Sequence, residues 1–187
     1  MRKVSAWLFM SLDGVVEAPN EWQFDVMDDE MLGDIISQSD AEDAIVMGRV
    51  TYQDFAPFWP TSTDEPFASH INNAPKYVVS TTLDEVEWGN WDKPTLIKGN
   101  LGKEINKLKQ QSGKTIGVSG SPTLVRSLLQ EGLLDELKLM IHPVLVGHGK
   151  RFFSDGDLKR LKLVDSKVTG TGVVILTYQP AKNESSK

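Results

Sequence analysis

Residues 115–129 place a short strand, a glycine turn and a helix directly after one another, and this junction restricts the fold more than any other segment. Gly117 and Gly120 would let the backbone come close to a ligand. Ser121 is suited to cap the helix, with Pro122 at the first helical position. Because a helix begins with free N–H groups, such a turn can bind phosphate. The junction therefore predicts either a nucleotide-phosphate site or an ordinary turn of an α/β protein.

Strand and helix patterns alternate along the rest of the chain. The predicted strands are 3–10, 44–47, 76–80, 95–98, 115–118, 136–142, 161–167 and 173–179, and the predicted helices are 28–39, 48–55, 101–111 and 122–131. The glycine-rich residues 168–172 predict a hairpin between the last two strands. We therefore expect an α/β fold whose sheet begins parallel and ends antiparallel, followed by a disordered tail at 181–187.

Composition excludes several functional classes. The 187 residues include no cysteine, which excludes disulfides, thiolate zinc sites and cysteine nucleophiles and fits a cytoplasmic protein. Three widely separated histidines predict no metal site. A net charge of -6, with basic residues clustered only at 103–109, argues against nucleic-acid binding. No run approaches the roughly 18 to 20 apolar residues of a membrane-spanning helix.

A second candidate phosphate site follows the predicted strand 44–47. Gly48 ends that strand, Arg49 supplies a forked cation, and Thr51 can cap the next helix. The alternative is that Arg49 forms a surface ion pair with an acid. Ser80 and its neighbouring threonines add hydroxyl groups at another strand end, where they could contact a ribose 2′-phosphate or simply form a turn.

Three familiar nucleotide or hydrolase motifs are incomplete. Ser121 replaces the second glycine of a nucleophile elbow over 117–121, and no histidine completes a convincing triad. Neither glycine turn continues into the Gly-Lys-Ser/Thr of a Walker loop. The turn at 117–120 also lacks the third glycine and the later acid of a standard dinucleotide fold. A bound dinucleotide would therefore require a different fold.

Two further features offer substrate contacts. Asp13 and Gly14 follow the first strand, as a turn or as a carboxylate at the mouth of the sheet. Trp22 and Phe24 could cover a flat heterocycle, or they could pack in the core or a lid.

Six segments, in order along the chain, resemble the RibD C-terminal, dihydrofolate-reductase-like family. They are residues 11–14, 47–52, 76–80, 120–125, 132–137 and 142–153. The resemblance implies a single domain over 1–180 with a dihydrofolate-reductase-like three-layer fold: a mixed, mainly parallel sheet, antiparallel C-terminal strands and flanking helices. It also implies a stand-alone reductase that binds NADPH and transfers hydride to a small pterin- or pyrimidine-like heterocycle.

The resemblance also implies roles for particular residues. Asp13 would be the catalytic residue facing the substrate; Gly48, Arg49 and Thr51 would hold phosphate; Ser80 and Thr81 would lie near the adenosine 2′-phosphate; and Gly117, Gly120, Ser121, Pro122, Thr123 and Leu124 would line the pyrophosphate. Trp22 is the expected aromatic contact of the substrate. Members of this family commonly pair, and the apolar residues 137–141 would suit a homodimer edge or face.

The sequence leaves alternatives open for the substrate, the proton donor and the function. The chain lacks the Pro-Trp followed by an acid on the first helix that a true folate reductase carries, which argues against folate reduction. The proton donor could be Asp13, an acid within 25–30, or a bound water. A nucleotide-binding or partner-binding protein without turnover is one rival function. The riboflavin-pathway reductase of 5-amino-6-ribosylaminouracil phosphate is another, with Lys150 and Arg151 as the candidate phosphate contacts.

Overall fold

One mixed sheet of eight strands organises the computed structural model, which describes residues 1–153 and 158–181. In chain order the strands are β1 (Val4–Ser11), β2 (Glu42–Gly48), β3 (Lys76–Val79), β4 (Thr95–Ile97), β5 (Thr115–Val118), β6 (Glu136–His142), β7 (Leu161–Val168) and β8 (Val174–Pro180). Their order across the sheet is β4-β3-β2-β5-β1-β6-β8-β7. The first six of these positions are parallel, and β8 and β7 pair antiparallel. The carboxyl ends of the parallel strands therefore lie along one edge.

Five helices accompany the sheet in the described residues: α1 (Asp29–Asp40), α2 (Arg49–Phe55), α3 (Phe67–Asn73), α4 (Leu101–Gln110) and α5 (Pro122–Gln130). Three begin with a side-chain cap, because Asp28, Asn100 and Ser121 accept the N–H of the residue three positions later. Short 3₁₀ turns lie at Pro19–Glu21, Phe24–Val26 and Trp59–Thr61. The caps explain why these helices begin where the sequence predicts.

The core has two layers because successive strand residues point to opposite faces of the sheet. On one face α4 and α5 bury Ile105 and Leu128 against alternate residues of β1 and β6. On the other face α1 buries Met31 and Ile35, and α3 lies beside it. Each fully buried aliphatic side chain contributes about 1.5–3 kcal/mol. The result is the expected three-layer arrangement.

The predicted elements agree with the structure at most positions. β5 and β6 have the predicted bounds, and the hairpin over 168–172 joins β7 and β8. α3 was not predicted, because its seven residues are too few for a periodic pattern to identify a helix. It is held by buried Ala68 and by Asn72, which donates to the Trp59 carbonyl at 2.8 Å and accepts from the Trp88 indole at 2.7 Å. Residues 182–187 of the predicted disordered tail lie outside the described residues.

The predicted dimer edge at 137–141 is wrong in its location. These residues lie inside β6, between β1 and β8, and Leu137 and Leu139 are buried. Exposed apolar side chains occur instead on the edge strand β7, where Leu163, Val164 and Val168 are 48%, 42% and 66% exposed. The homodimer stays a prediction, and β7 is the strand of the described chain that offers it an apolar edge.

A carboxyl group is buried at the amino-terminal edge of the sheet, beside α1. Glu42 is 6% exposed and accepts a hydrogen bond from Gln38 Nε2 at 2.9 Å. Its carboxyl group lies against Gly117, where a β-carbon would overlap it. Burial raises the pKa of Glu42 to about 7. The packing reason for glycine at position 117 is therefore the Glu42 side chain.

The raised pKa predicts how stability depends on pH. The folded state binds the Glu42 proton more tightly than the unfolded state, so the free energy of unfolding should fall as pH rises from the ordinary glutamate range to about 7. The loss is on the order of 3 kcal/mol. Glu42→Gln should remove it, as measured by urea unfolding at pH values on either side of this window. The exposed Glu85→Gln is the control; equal pH dependence in wild type and Glu42→Gln would contradict the prediction.

Candidate functional site

The two glycine turns predicted from the sequence touch each other at the carboxyl ends of the adjacent strands β2 and β5. The Gly48 N–H donates to the Gly120 carbonyl at 2.9 Å. A β-carbon at Gly48 would lie 2.7 Å from Ser121 Oγ and 3.1 Å from its backbone nitrogen, and one at Gly120 would lie 2.8 Å from Thr51 Oγ1. Gly120 also has a φ of +111°, which side chains rarely adopt. The structure thus brings Gly48, Thr51, Gly120 and Ser121 into one cluster.

The start of α5 forms one side of this cluster. Ser121 Oγ accepts the Leu124 N–H at 3.4 Å, while the Leu124 side chain lies in the core. Pro122 is half-buried and Thr123 is exposed in the first turn of the helix. Of the predicted pyrophosphate contacts, Ser121, Pro122 and Thr123 are therefore accessible. Gly117 lies further back inside β5, against Glu42.

The residues predicted to hold the remaining phosphates follow β2 and its neighbour β3. Arg49 is exposed, and its Nη1 donates to Gln53 Oε1 at 3.0 Å; within the described residues it pairs with this amide and not with an acid. Ser80 Oγ accepts the N–H groups of Thr82 and Leu83, each at 3.1 Å, which makes it a turn former. Thr81 is exposed beside it. Both segments lie at the same edge as the glycine cluster.

Asp13 fastens a distant loop to the end of β1. Its carboxylate accepts hydrogen bonds from Ser11 Oγ at 2.6 Å, Gly147 N–H at 2.9 Å and Val146 N–H at 3.1 Å. Arg151 Nη2 lies 3.5 Å away. These bonds, led by the Ser11 hydroxyl, lower the pKa of Asp13 to about 2. The group is therefore a carboxylate near neutral pH and is unsuited to donate a proton there.

The other acids considered as proton donors fall into two groups. Asp28 caps α1 and accepts from the Thr171 hydroxyl at 2.9 Å, and hydrogen bonds lower its pKa, the Met31 N–H first. Glu30 accepts the Gly170 N–H at 2.8 Å. Both acids thus fasten the β7–β8 turn to α1. Asp25 and Asp29 are exposed.

Two partly exposed aromatic side chains lie on the α1 face of the central strand β1, and we call the surface that they form the aromatic cleft. Trp7 and Phe9 pack edge to face with ring centroids 5.3 Å apart, and both stay partly exposed in the middle of an eight-stranded sheet. Side chains on a central strand are ordinarily covered, so the exposed part of these rings offers a flat apolar surface to a ligand. Met27 and Phe67 pack against the same cluster. Because β1 is adjacent to β5, the cleft lies next to the glycine cluster.

His142 closes the carboxyl end of this cleft, although the sequence identified it only as an improbable metal ligand. Its imidazole is fully buried and meets Phe9 and Trp22 edge to face, with centroids 5.7 and 5.3 Å away. Burial lowers its pKa. Trp22, the predicted substrate contact, is half-buried over this ring, and its indole donates to the Glu17 carbonyl at 3.2 Å. The sequence carries no local signal that joins positions 22 and 142.

Comparison with known proteins identifies the family. Residues 2–175 match the RibD C-terminal domain. The chain belongs to this family. The uncharacterized protein YyaP of Bacillus subtilis (strain 168) is 32% identical over 184 residues, which cover 95% of this chain and 94% of YyaP. The predicted family is therefore confirmed.

Solved structures confirm the predicted fold of this RibD C-terminal domain. A candidate riboflavin biosynthesis protein from Shewanella sp. PV-4 has a TM-score of 0.79 at 24% identity, covering 96% of this chain and 99% of that one. Dihydrofolate reductase from Enterococcus faecalis, solved with NADP(H), has a TM-score of 0.60 at 13% identity, covering 96% of this chain and 97% of that one. The fold is dihydrofolate-reductase-like.

Residues 1–153 and 158–181 contain no group of three His, Cys, Asp or Glu side chains placed to hold a metal ion. No helix in this part of the chain is long and apolar enough to cross a membrane.

The close contact of the glycine turns predicts a strong effect of one methyl group. Gly48→Ala should lower the free energy of unfolding by about 1–3 kcal/mol, because its β-carbon overlaps Ser121 while its backbone conformation suits alanine. Gly33 is exposed on helix α1, and no atom lies within 4 Å of the carbon that alanine would add. Gly33→Ala should therefore be neutral or stabilising. Urea denaturation measures both. Equal stabilities of the two variants would mean that the turns are not in contact.

The Asp13 anchor makes a separate prediction. Asp13→Asn replaces the carboxylate that accepts the Val146 and Gly147 N–H groups with a neutral amide, so these hydrogen bonds should weaken. Hydrogen exchange at the two N–H groups, followed by NMR, should become faster. The exposed Asp25→Asn should leave both exchange rates as in wild type. Unchanged exchange in Asp13→Asn would show that the carboxylate does not hold the loop.

Proposed function

We propose that this RibD C-terminal domain protein is an NADPH-dependent reductase that transfers hydride to a small heterocycle of the pterin or pyrimidine type. The observation that carries the proposal is the contact between Gly48 and Gly120, next to the partly exposed aromatic rings of β1. It brings the starts of α2 and α5 together beside a cleft that would take a flat ring, an arrangement that suits a phosphate next to that ring. The reductases among its structural neighbours support the same function.

The cofactor would be held by groups that suit an extended dinucleotide. Gly48 and Gly120 let the two turns pack against Ser121 and Thr51, so the starts of α2 and α5 lie side by side. The accessible Ser121, Pro122 and Thr123 at the start of α5 would contact the pyrophosphate. Arg49 offers an exposed guanidinium after β2, and Thr81 offers an exposed hydroxyl after β3. These two groups would contact the adenosine half of the cofactor, which carries the 2′-phosphate. NADPH, when bound, supplies the hydride.

The chain's own contribution would be mainly positioning and exclusion of water. Trp7 and Phe9 would orient the ring next to the cofactor. Asp13 would act as a positioning residue that holds the loop at 146–147, since its pKa of about 2 prevents it from giving a proton near neutral pH. We therefore assign the proton of the reduction to a water molecule at the cleft.

The riboflavin-pathway substrate is less well supported than a ring without phosphate. A ribosyl phosphate would need cations such as Lys150 and Arg151. Arg151 Nε donates to the Asp13 carbonyl at 3.0 Å, and its Nη2 lies near the Asp13 carboxylate. Lys150 lies 3.8 Å from Glu17. Both cations already have acidic neighbours, which reduces their attraction for a phosphate.

Titration with NADPH and NADH, followed by nicotinamide fluorescence, tests the cofactor assignment. Wild type should bind NADPH, and Arg49→Ala should weaken binding about tenfold or more through the loss of a charge-assisted hydrogen bond. Arg160→Ala removes an exposed cation just before β7, five strand positions from β2, and should leave binding unchanged. If wild type binds neither NADPH nor NADH, the reductase proposal is overturned.

Turnover is tested next, by NADPH oxidation in the presence of pterins and pyrimidines. Oxidation with one of these rings supports the reductase. Tight NADPH binding without oxidation by any of them would favour the rival function, a nucleotide-binding protein on the same scaffold.

A further inference from the structure

Two buried polar atoms near the aromatic cleft have no hydrogen-bond partner among the described residues: His142 Nε2 and Gln23 Oε1. His142 is fully buried and Gln23 is 8% exposed. Leaving such an atom without a partner is destabilising. Buried polar groups are nearly always satisfied, so these two exceptions require an explanation.

The hydrogen-bonding role of His142 Nε2 follows from the other ring nitrogen. Nδ1 lies 3.0 Å from the Met140 carbonyl oxygen. A carbonyl oxygen can only accept, so Nδ1 carries the hydrogen. Burial keeps the imidazole neutral by lowering its pKa. Nε2 is therefore an acceptor without a donor, and the amide oxygen of Gln23 is an acceptor by its nature.

Both acceptors belong to the cover of the proposed substrate cleft. His142 pairs with Ser11 at the end of β6, and its imidazole meets the rings of Phe9 and Trp22. Gln23 directly follows Trp22, in the segment between the 3₁₀ turns Pro19–Glu21 and Phe24–Val26. A ligand must displace the Trp22 ring to reach Nε2, because the imidazole is enclosed.

We propose that His142 Nε2 accepts a hydrogen bond from an amino or ring N–H group of the substrate, and that Gln23 Oε1 provides a second acceptor on the covering segment. His142 is then a residue that determines specificity for rings with N–H donors over rings with carbonyl or methyl groups at the same edge. The inference rests on the proposed function, since it concerns the same cleft. It adds the hydrogen-bonding character of the substrate that the cleft selects.

A pair of pyrimidines of similar shape tests this proposal. Diaminopyrimidine carries two amino donors, and its dimethyl counterpart carries methyl groups in their place. Wild type should bind the diamino ring at least about tenfold more tightly, which corresponds to about 1.4 kcal/mol. His142→Phe keeps an aromatic ring of similar size but removes the acceptor, so it should bind the two rings with nearly equal affinity.

NMR of the imidazole nitrogens provides a measurement on the wild-type protein. The chain has three histidines, and the signal that is missing from the His142→Phe spectrum is that of His142. Nε2 of His142 should appear without a hydrogen in the free protein and should shift on addition of diaminopyrimidine, with a smaller change on addition of the dimethyl ring. This readout needs no turnover, and His142→Phe enters it only to assign the signal.

The outcomes separate this inference from the proposed function. NADPH affinity in His142→Phe should equal that of wild type, because the residue lies in the substrate cleft and not in the glycine cluster. A hydrogen on Nε2, failure of diaminopyrimidine to bind, equal affinities for the two rings in wild type, or discrimination that persists in His142→Phe would each overturn the inference. Failure of the wild-type protein to bind NADPH would instead overturn the proposed function.

Discussion

The contact between Gly48 and Gly120 is the constraint on which the site depends. Because β2 and β5 are adjacent and parallel, the turns that follow them meet at one edge, and the N–H of one glycine reaches the carbonyl of the other at 2.9 Å. A side chain at either position would separate the turns. The same contact brings the starts of α2 and α5 together. The helix α5 follows β5, which is adjacent to β1, and α2 follows β2, one strand further away. The proposed phosphate site and the aromatic rings on β1 are neighbours for this reason.

The acids near the cleft hold loops in place. Asp13 ties the end of β1 to residues 146–147, and Asp28 and Glu30 tie α1 to the turn between β7 and β8. Each does so by accepting N–H groups. Hydrogen bonds lower the pKa of two of these acids, led by the Ser11 hydroxyl at Asp13 and by the Met31 N–H at Asp28. Buried Glu42 has the opposite electrostatic character, but it lies at the amino-terminal edge, away from the cleft. His142 Nε2 and Gln23 Oε1 are buried side-chain atoms without a partner among the described residues, and they are the acceptors that we propose for the substrate.

Local sequence patterns were sufficient for most of the fold and for part of the site. The strands at 115–118 and 136–142, the cap at Ser121 and the glycine turns all follow from residues close together in the chain. α3 did not, because it is short and long-range hydrogen bonds of Asn72 help to hold it. The loop partner of Asp13 could not be predicted either, since 133 sequence positions separate it from Val146 and only the strand order brings them together.

The two halves of the site differ in hydrogen-bonding character, and this difference orients any ligand that spans them. The starts of α2 and α5 and the exposed Arg49 guanidinium suit an anion. In the proposed function, the cleft would offer aromatic faces and, once Trp22 is displaced, the acceptors His142 Nε2 and Gln23 Oε1, which suit a flat ring with N–H donors. A ring bound by its N–H edge at position 142 would place its opposite edge toward β5, because β6 and β5 flank β1 on either side. In the proposed function, hydride would then arrive at the edge of the ring away from its recognition groups. Substitution of His142 would therefore change which ring binds without changing the cofactor's position.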